Sequence, residues 1–149
     1  MSTKELIYLK CVEIIESKIS ELREAQAAIS EAAGNESKST AGDKHETGRA
    51  MLQLEQEKLG NQLKELQEQE AELKKINPAH KMVKAAKGAL VDTDKGFLFL
   101  SIGLGKIKTK EITAYALSLQ SPLGAKLAGA KAKDKIEMNG VVYLIKEIQ

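Results

Sequence analysis

Two stretches of this 149-residue chain repeat apolar residues at every third or fourth position. The first runs from Thr3 to about Ala33, with Val12, Ile15, Ile19, Leu22, Ala25, Ile29 and Ala33 in step. The second carries Leu52, Leu59, Leu63, Leu66, Leu73 and Ile76, with charges between them. Such spacing lines each set along one helix face, in stripes as narrow as those of coiled coils. Gly34-Asn35 is the expected end of the first helix, and "GNESKSTAGD" the turn that follows. Two stripes of similar length joined by a short polar loop should pack antiparallel, each burying the other. At about 1.5 Å per residue, arms of about 30 residues make a rod of roughly 45 Å. Gln56 and Glu70 interrupt the second stripe, so the rod has little core of its own and suits reaching. Dimerisation by further helix pairing is its other use.

After "INPAH" (76–80) the pattern changes, and Pro78 is a natural helix stop. The segments 88–94, 96–103, 112–118, 134–138 and 141–148 are β-branched or apolar and bounded by Gly, Asp or Lys, as strands are. Asn139-Gly140 between the last two signals a two-residue type I′ hairpin. "SPLGAKLAG" (121–129) predicts one short helix, with Ser121 as N-cap and Pro122 in its first turn. "GLGKIKTK" (103–110) resembles a phosphate loop only superficially and is expected between strands. The expected class is α+β: a helical hairpin over 1–77, then a small antiparallel β domain with one helix over 78–149.

Composition sharpens this division. Residues 1–77 carry 11 Lys/Arg against 15 Asp/Glu, a net of −4, whereas residues 78–149 carry 12 Lys against 6 acids, a net of +6. Aromatic residues are only 3% of the chain and Trp is absent, too few anchors for one well-filled globule. The lysines of the second half are scattered and read mainly as solvated surface, with steering of an acidic partner as their further use. The single cysteine, Cys11, cannot form an internal disulfide and is expected in the core. "MSTKELIYLK" contains no signal-peptide core and no run approaches a membrane span, so a soluble, cytoplasmic protein is expected.

Candidate chemistry is sparse. The chain has no nucleotide-binding Gly motif and no zinc-spaced Cys/His cluster, and His45 and His80 lie far apart. What stands out is "GDKHE" (42–46) between the two helices. Asp43 and Glu46 have the spacing of a capping box, and equally form a compact carboxylate pair that divalent-metal chemistry would use.

Taken together, the hairpin, "GDKHE" at its turn and "SLQSPLGAKLAGAKAKDKIEMNGVVYLIKEI" (118–148) resemble the bacterial Gre transcript cleavage factors (GreA/GreB-like) over nearly the whole chain. The resemblance implies an FKBP-like second domain and a coiled coil that enters the secondary channel of RNA polymerase. It further implies that Asp43 and Glu46 support a Mg²⁺ ion held jointly with the polymerase, which then cleaves its own backtracked RNA. No cofactor of the chain's own is implied, and the protein would be an accessory factor rather than an enzyme, monomeric, meeting the RNA 3′ end only indirectly. Ser121 and Pro122, with Gln120 before them, match the family's rim-contacting residues. Lys44, His45 and Arg49 beside the acids are candidates for RNA contact. One departure is clear: where the family continues Asn-x-Glu-Tyr, this chain has Thr47-Gly48-Arg49-Ala50, lacking the second acid and the aromatic.

Three alternatives accompany this reading. Related channel-binding factors regulate polymerase without cleavage. A prolyl isomerase would need a deep aromatic-lined pocket, for which residues 78–149 offer only Phe97, Phe99, Tyr115 and Tyr143. A coiled-coil adaptor would dimerise through the stripes.

Overall fold

The computed structural model describes the backbone of residues 1–37 and 42–149, and the side chains of residues 1–34 and 48–149. The protein is α+β, with three helices and six strands among the described residues. Helix α1 spans Thr3–Ser37 and α2 spans Gly42–Lys74. The strands are β1 (Leu90–Thr93), β2 (Gly96–Leu100), β3 (Gly105–Lys108) and β4 (Thr113–Leu117), and after helix α3 (Pro122–Leu127) come β5 (Lys135–Met138) and β6 (Val141–Ile148).

By compactness the chain divides into Ile15–Glu70 and a unit combining Met1–Ile14 with Ala71–Gln149. The change of pattern at Pro78 therefore falls inside the second unit, in which Ile7, Cys11 and Leu73 are fully buried.

In the hairpin unit the predicted stripes are the interface. Ile15, Ile19 and Leu59 are buried, while Leu22, Ala25, Ile29, Ala33, Leu52, Leu63 and Leu66 are partly covered. Cross-helix contacts run antiparallel: the Gln56 amide donates to Ser30 Oγ at 3.1 Å, and Gln26 Nε2 lies 4.0 Å from where a Gly60 Cβ would stand. Gln56 is thus a polar rung in the seam, and its Oε1 is buried without a partner. Helix α1 does not end at Gly34-Asn35 but continues to Ser37. Gly34 has no positive φ, the conformation that makes a glycine a helix stop, and so it only weakens the helix locally.

The other unit is built on one sheet with strand order β3-β4-β2-β1-β6-β5. It is not antiparallel throughout: β2 pairs with β4 in parallel. Strand β3, within the segment expected to link strands, explains this. From β2 the chain passes outward to form β3 at the sheet edge, then returns as β4 in the slot between them. Period-2 alternation in Lys106-Ile107-Lys108 carries the strand signal, with Ile107 buried and both lysines exposed. One sheet face contributes Val91, Leu98, Leu100, Leu117 and Ile145 to a core closed by Leu127 of α3 and by Ala85, Ala89 and Ala130. Segment 82–89 is held by backbone bonds in both directions, Ala85 N–H to Ala130 O (2.8 Å) and Gly129 N–H to Ala85 O (2.7 Å). Strands β5 and β6 meet at the expected two-residue turn, with Asn139 and Gly140 at φ 51° and 80°, the left-handed pair of type I′.

Candidate functional site

The acidic motif lies in the first turns of α2, whose helical backbone begins at Gly42. A cap at Asp43 would start the helix at Lys44, two residues later, so the observed bounds put Asp43 inside the helix. The side chains of Asp43, Lys44, His45 and Glu46 lie outside the described residues. Arg49, the remaining member of the proposed tip cluster, is exposed beside a shallow hollow between the helices lined by Ile29, Ala33, Leu52 and Gln56. Gly48 lies within α2. Among the described residues no group of three or more His, Cys, Asp or Glu side chains could hold a metal ion.

The Ser-Pro-Leu-Gly corner is described in full, and its residues divide by use. Ser121 is extended (φ −69°, ψ 158°), and its Oγ accepts the Gly124 N–H at 3.1 Å. The same hydroxyl donates to Ser118 O at 2.6 Å, so its one proton is committed within the chain. Pro122 follows in the first turn, where its missing N–H costs nothing. Leu123 packs against the core, and Gly124 is buried against the preceding strand exit. A Cβ on Gly124 would stand 2.0 Å from Ser118 O and 2.8 Å from Leu119 Cα, contact only glycine permits. Gln120 and Pro122 are left exposed side by side, with its N–H (Gln120) fixed on Ser118 Oγ at 3.1 Å. The corner therefore brings Gln120, Ser121 and Pro122 together, with Gln120 and Pro122 facing solvent and Ser121 holding the turn.

Elsewhere, Lys4, Cys11 and Glu72 serve the fold. Lys4 is only 3% exposed, and its ammonium donates to His80 O at 2.7 Å and Gln149 O at 3.3 Å. Burial lowers its pKa. Cys11 is fully buried, and loss of solvation pushes its thiol up to about 12, which makes it an inert core residue. Glu72 is held low by Lys87 first and Lys75 second, tying α2 to the segment that leads into the sheet. One feature not anticipated from the sequence is the Ser2 cap of α1. Its Oγ accepts the Glu5 N–H at 3.1 Å, and "STKE" is a capping-box pattern that could have announced it.

The four aromatic residues weighed for an isomerase pocket do not converge. Phe97 and Phe99 share one face of β2, whereas Tyr115, in register with Leu98, stands on the other. Tyr143 packs against the core cluster. No helix among the described residues is long and apolar enough to cross a membrane. No protein-family model matches this chain, and no curated protein sequence matches it.

Proposed function

We propose that this protein is an accessory factor of RNA polymerase that inserts its helical hairpin into the enzyme's secondary channel and stimulates cleavage of backtracked RNA. The observation that carries the reading is the hairpin Ile15–Glu70, whose buried side chains among the described residues are Ile15, Ile19 and Leu59 alone. Two helices that bury so little against each other suit a slender probe better than a packing element. The exposed Gln120 and Pro122 at the capped corner support a second contact, at the channel rim.

In this reading Asp43 and Glu46 add oxygen ligands where the polymerase already holds Mg²⁺ and orient the attacking water. The bound metal supplies charge stabilisation at the attacking and leaving oxygens. Arg49, with Lys44 and His45, faces the RNA phosphates. Because the carboxylates complete a site rather than form one, the protein alone is not expected to hydrolyse RNA.

The test is a stalled, backtracked elongation complex with labelled RNA. Wild-type protein should accelerate release of the short 3′ fragment, and Asp43→Ala/Glu46→Ala should abolish that acceleration while still competing with wild type for the polymerase. Undiminished cleavage by the double variant would remove the carboxylates from the mechanism. The departure at Thr47-Gly48-Arg49-Ala50 favours a second reading, a channel regulator without cleavage. Polymerase binding and altered pausing, with no cleavage by wild type at any Mg²⁺ concentration, would establish it.

A further inference from the structure

The edge of the sheet formed by β3 and β4 carries a surface that the hairpin's role leaves unused. Lys106 stands directly opposite Tyr115, and Lys108 opposite Thr113. Residues opposite one another on paired strands share a face, with Cβ atoms about 5 Å apart. The four side chains thus form one patch, with Lys106 beside Tyr115 across the strand pair and Lys108 diagonal to it. Tyr115 is 54% exposed, and Lys106, Lys108 and Thr113 are exposed as well. Farther in, the same face is covered core at Leu98, Leu100 and Leu117. Neither lysine has a carboxylate partner among the described residues.

We infer that this patch binds single-stranded RNA, with one base stacked on Tyr115 and the flanking phosphates on Lys106 and Lys108. A half-exposed aromatic ring on a sheet face, with unpaired cations beside it on the neighbouring strand, is an arrangement by which single strands are held without base-specific hydrogen bonds. The lysines are two residues apart on one strand, about 7 Å along it, a separation comparable with the step between successive phosphates of an extended strand. Thr113 places a hydroxyl on the same face, opposite Lys108, where it can bond a ribose 2′-OH, the group that distinguishes RNA from DNA. The strand that supplies the cations is the same "GKIK" whose likeness to a phosphate loop is superficial in spacing. Its phosphate-binding capacity comes instead from alternation, which turns both lysines onto the tyrosine's face. The inference needs no polymerase and stands apart from the cleavage reading.

Fluorescence anisotropy of the full-length protein with a labelled unstructured RNA 15-mer tests it. Wild-type protein should bind, and Tyr115→Ala should weaken binding at least about fivefold, while Tyr115→Phe keeps it. Lys106→Ala/Lys108→Ala should reduce the slope of log affinity against log salt by about 1.4 for two lost phosphate contacts. Removing two exposed lysines elsewhere, Lys84→Ala/Lys146→Ala, should leave that slope within about 0.3 of wild type. All the substituted residues are exposed, so circular dichroism and thermal melting should match wild type and certify folding. No RNA binding by wild type, binding that Tyr115→Ala leaves intact, or equal losses in both lysine pairs would overturn the site. Equal affinity for the matching DNA 15-mer would overturn the assignment to RNA.

Discussion

Gly124 and Ser121 show how much a single corner depends on two small residues. Ser121 offers one hydroxyl that both accepts from Gly124 and donates to Ser118, and Gly124 lets the helix turn lie on the Ser118–Leu119 backbone. A methyl group at 124 cannot be accommodated by rotating a side chain, because the atoms in the way are backbone. Gly124→Ala should therefore lower stability by about 1–3 kcal/mol or more, as overpacking does. Ser121→Ala should cost about 1 kcal/mol, the usual loss of a cap. Urea titrations of both variants check the order of these two effects, with Gly124→Ala the larger. The cap and the proline position were legible in the sequence because each rests on local chemistry. The need for glycine was not, because it arises from a neighbouring segment pressed against the turn. The acidic pair Asp43 and Glu46 was legible as a spacing, with its side chains beyond what is described.

At the scale of elements, periodicity carried the helices well. Every residue named in the two stripes between Ile15 and Leu66 is buried or partly covered, since a stripe of period 3.6 has only one way to avoid water. Helix α1 runs past Gly34 because an interior glycine at ordinary helical φ is only a weak point and not a stop. Nothing lies within 4 Å of a Cβ added there, so Gly34→Ala should stabilise the protein by up to about 1 kcal/mol. Gln56→Leu should act in the same direction, because it removes a buried carbonyl oxygen without a partner and leaves Ser30 exposed to water. Thermal melts of the two single variants and their combination check both, and a lower melting temperature for Gln56→Leu would mean that the polar rung fixes the helix register. Strand β3 escaped the sequence reading because four residues with two lysines resemble a charged link. Its identity comes from β4, whose Ala114 and Ala116 leave room beside the buried Ile107.

For the molecule as a whole, α+β class was legible from the switch of period after Pro78, but the mixed sheet was not. Alternation fixes which face a strand buries and says nothing of which strand lies beside it. Charge acts at this scale too. Glu72 is held low by Lys87 and Lys75, and Asp94 by the Leu144 N–H, which joins the β1–β2 turn to β6 at 2.8 Å. A carboxylate with a lowered folded-state pKa contributes stability above its unfolded value and loses it as pH falls. The contribution should therefore be complete near neutrality and vanish from the ordinary carboxylate range downward, to about 2 for Glu72. Both groups face solvent, so the effect is small. Melting Glu72→Gln and Asp94→Asn beside wild type from pH 7 to pH 2 should show a gap that closes with acidification, and a gap that widens would reverse the sign.

The Lys4 ammonium on the carbonyls of His80 and Gln149 has a consequence in time. A ribosome delivers residue 4 long before residue 149, so the first turns of α1 wait for the last strand before their buried lysine finds its partners. The slot for β4 imposes a similar delay, because it closes only after β3 has been made and turned back. Ile15–Glu70 has no such debt, since its seam contacts are internal. During synthesis the hairpin can close early, while the unit that brackets it in sequence cannot close until β6 and Gln149 have been made.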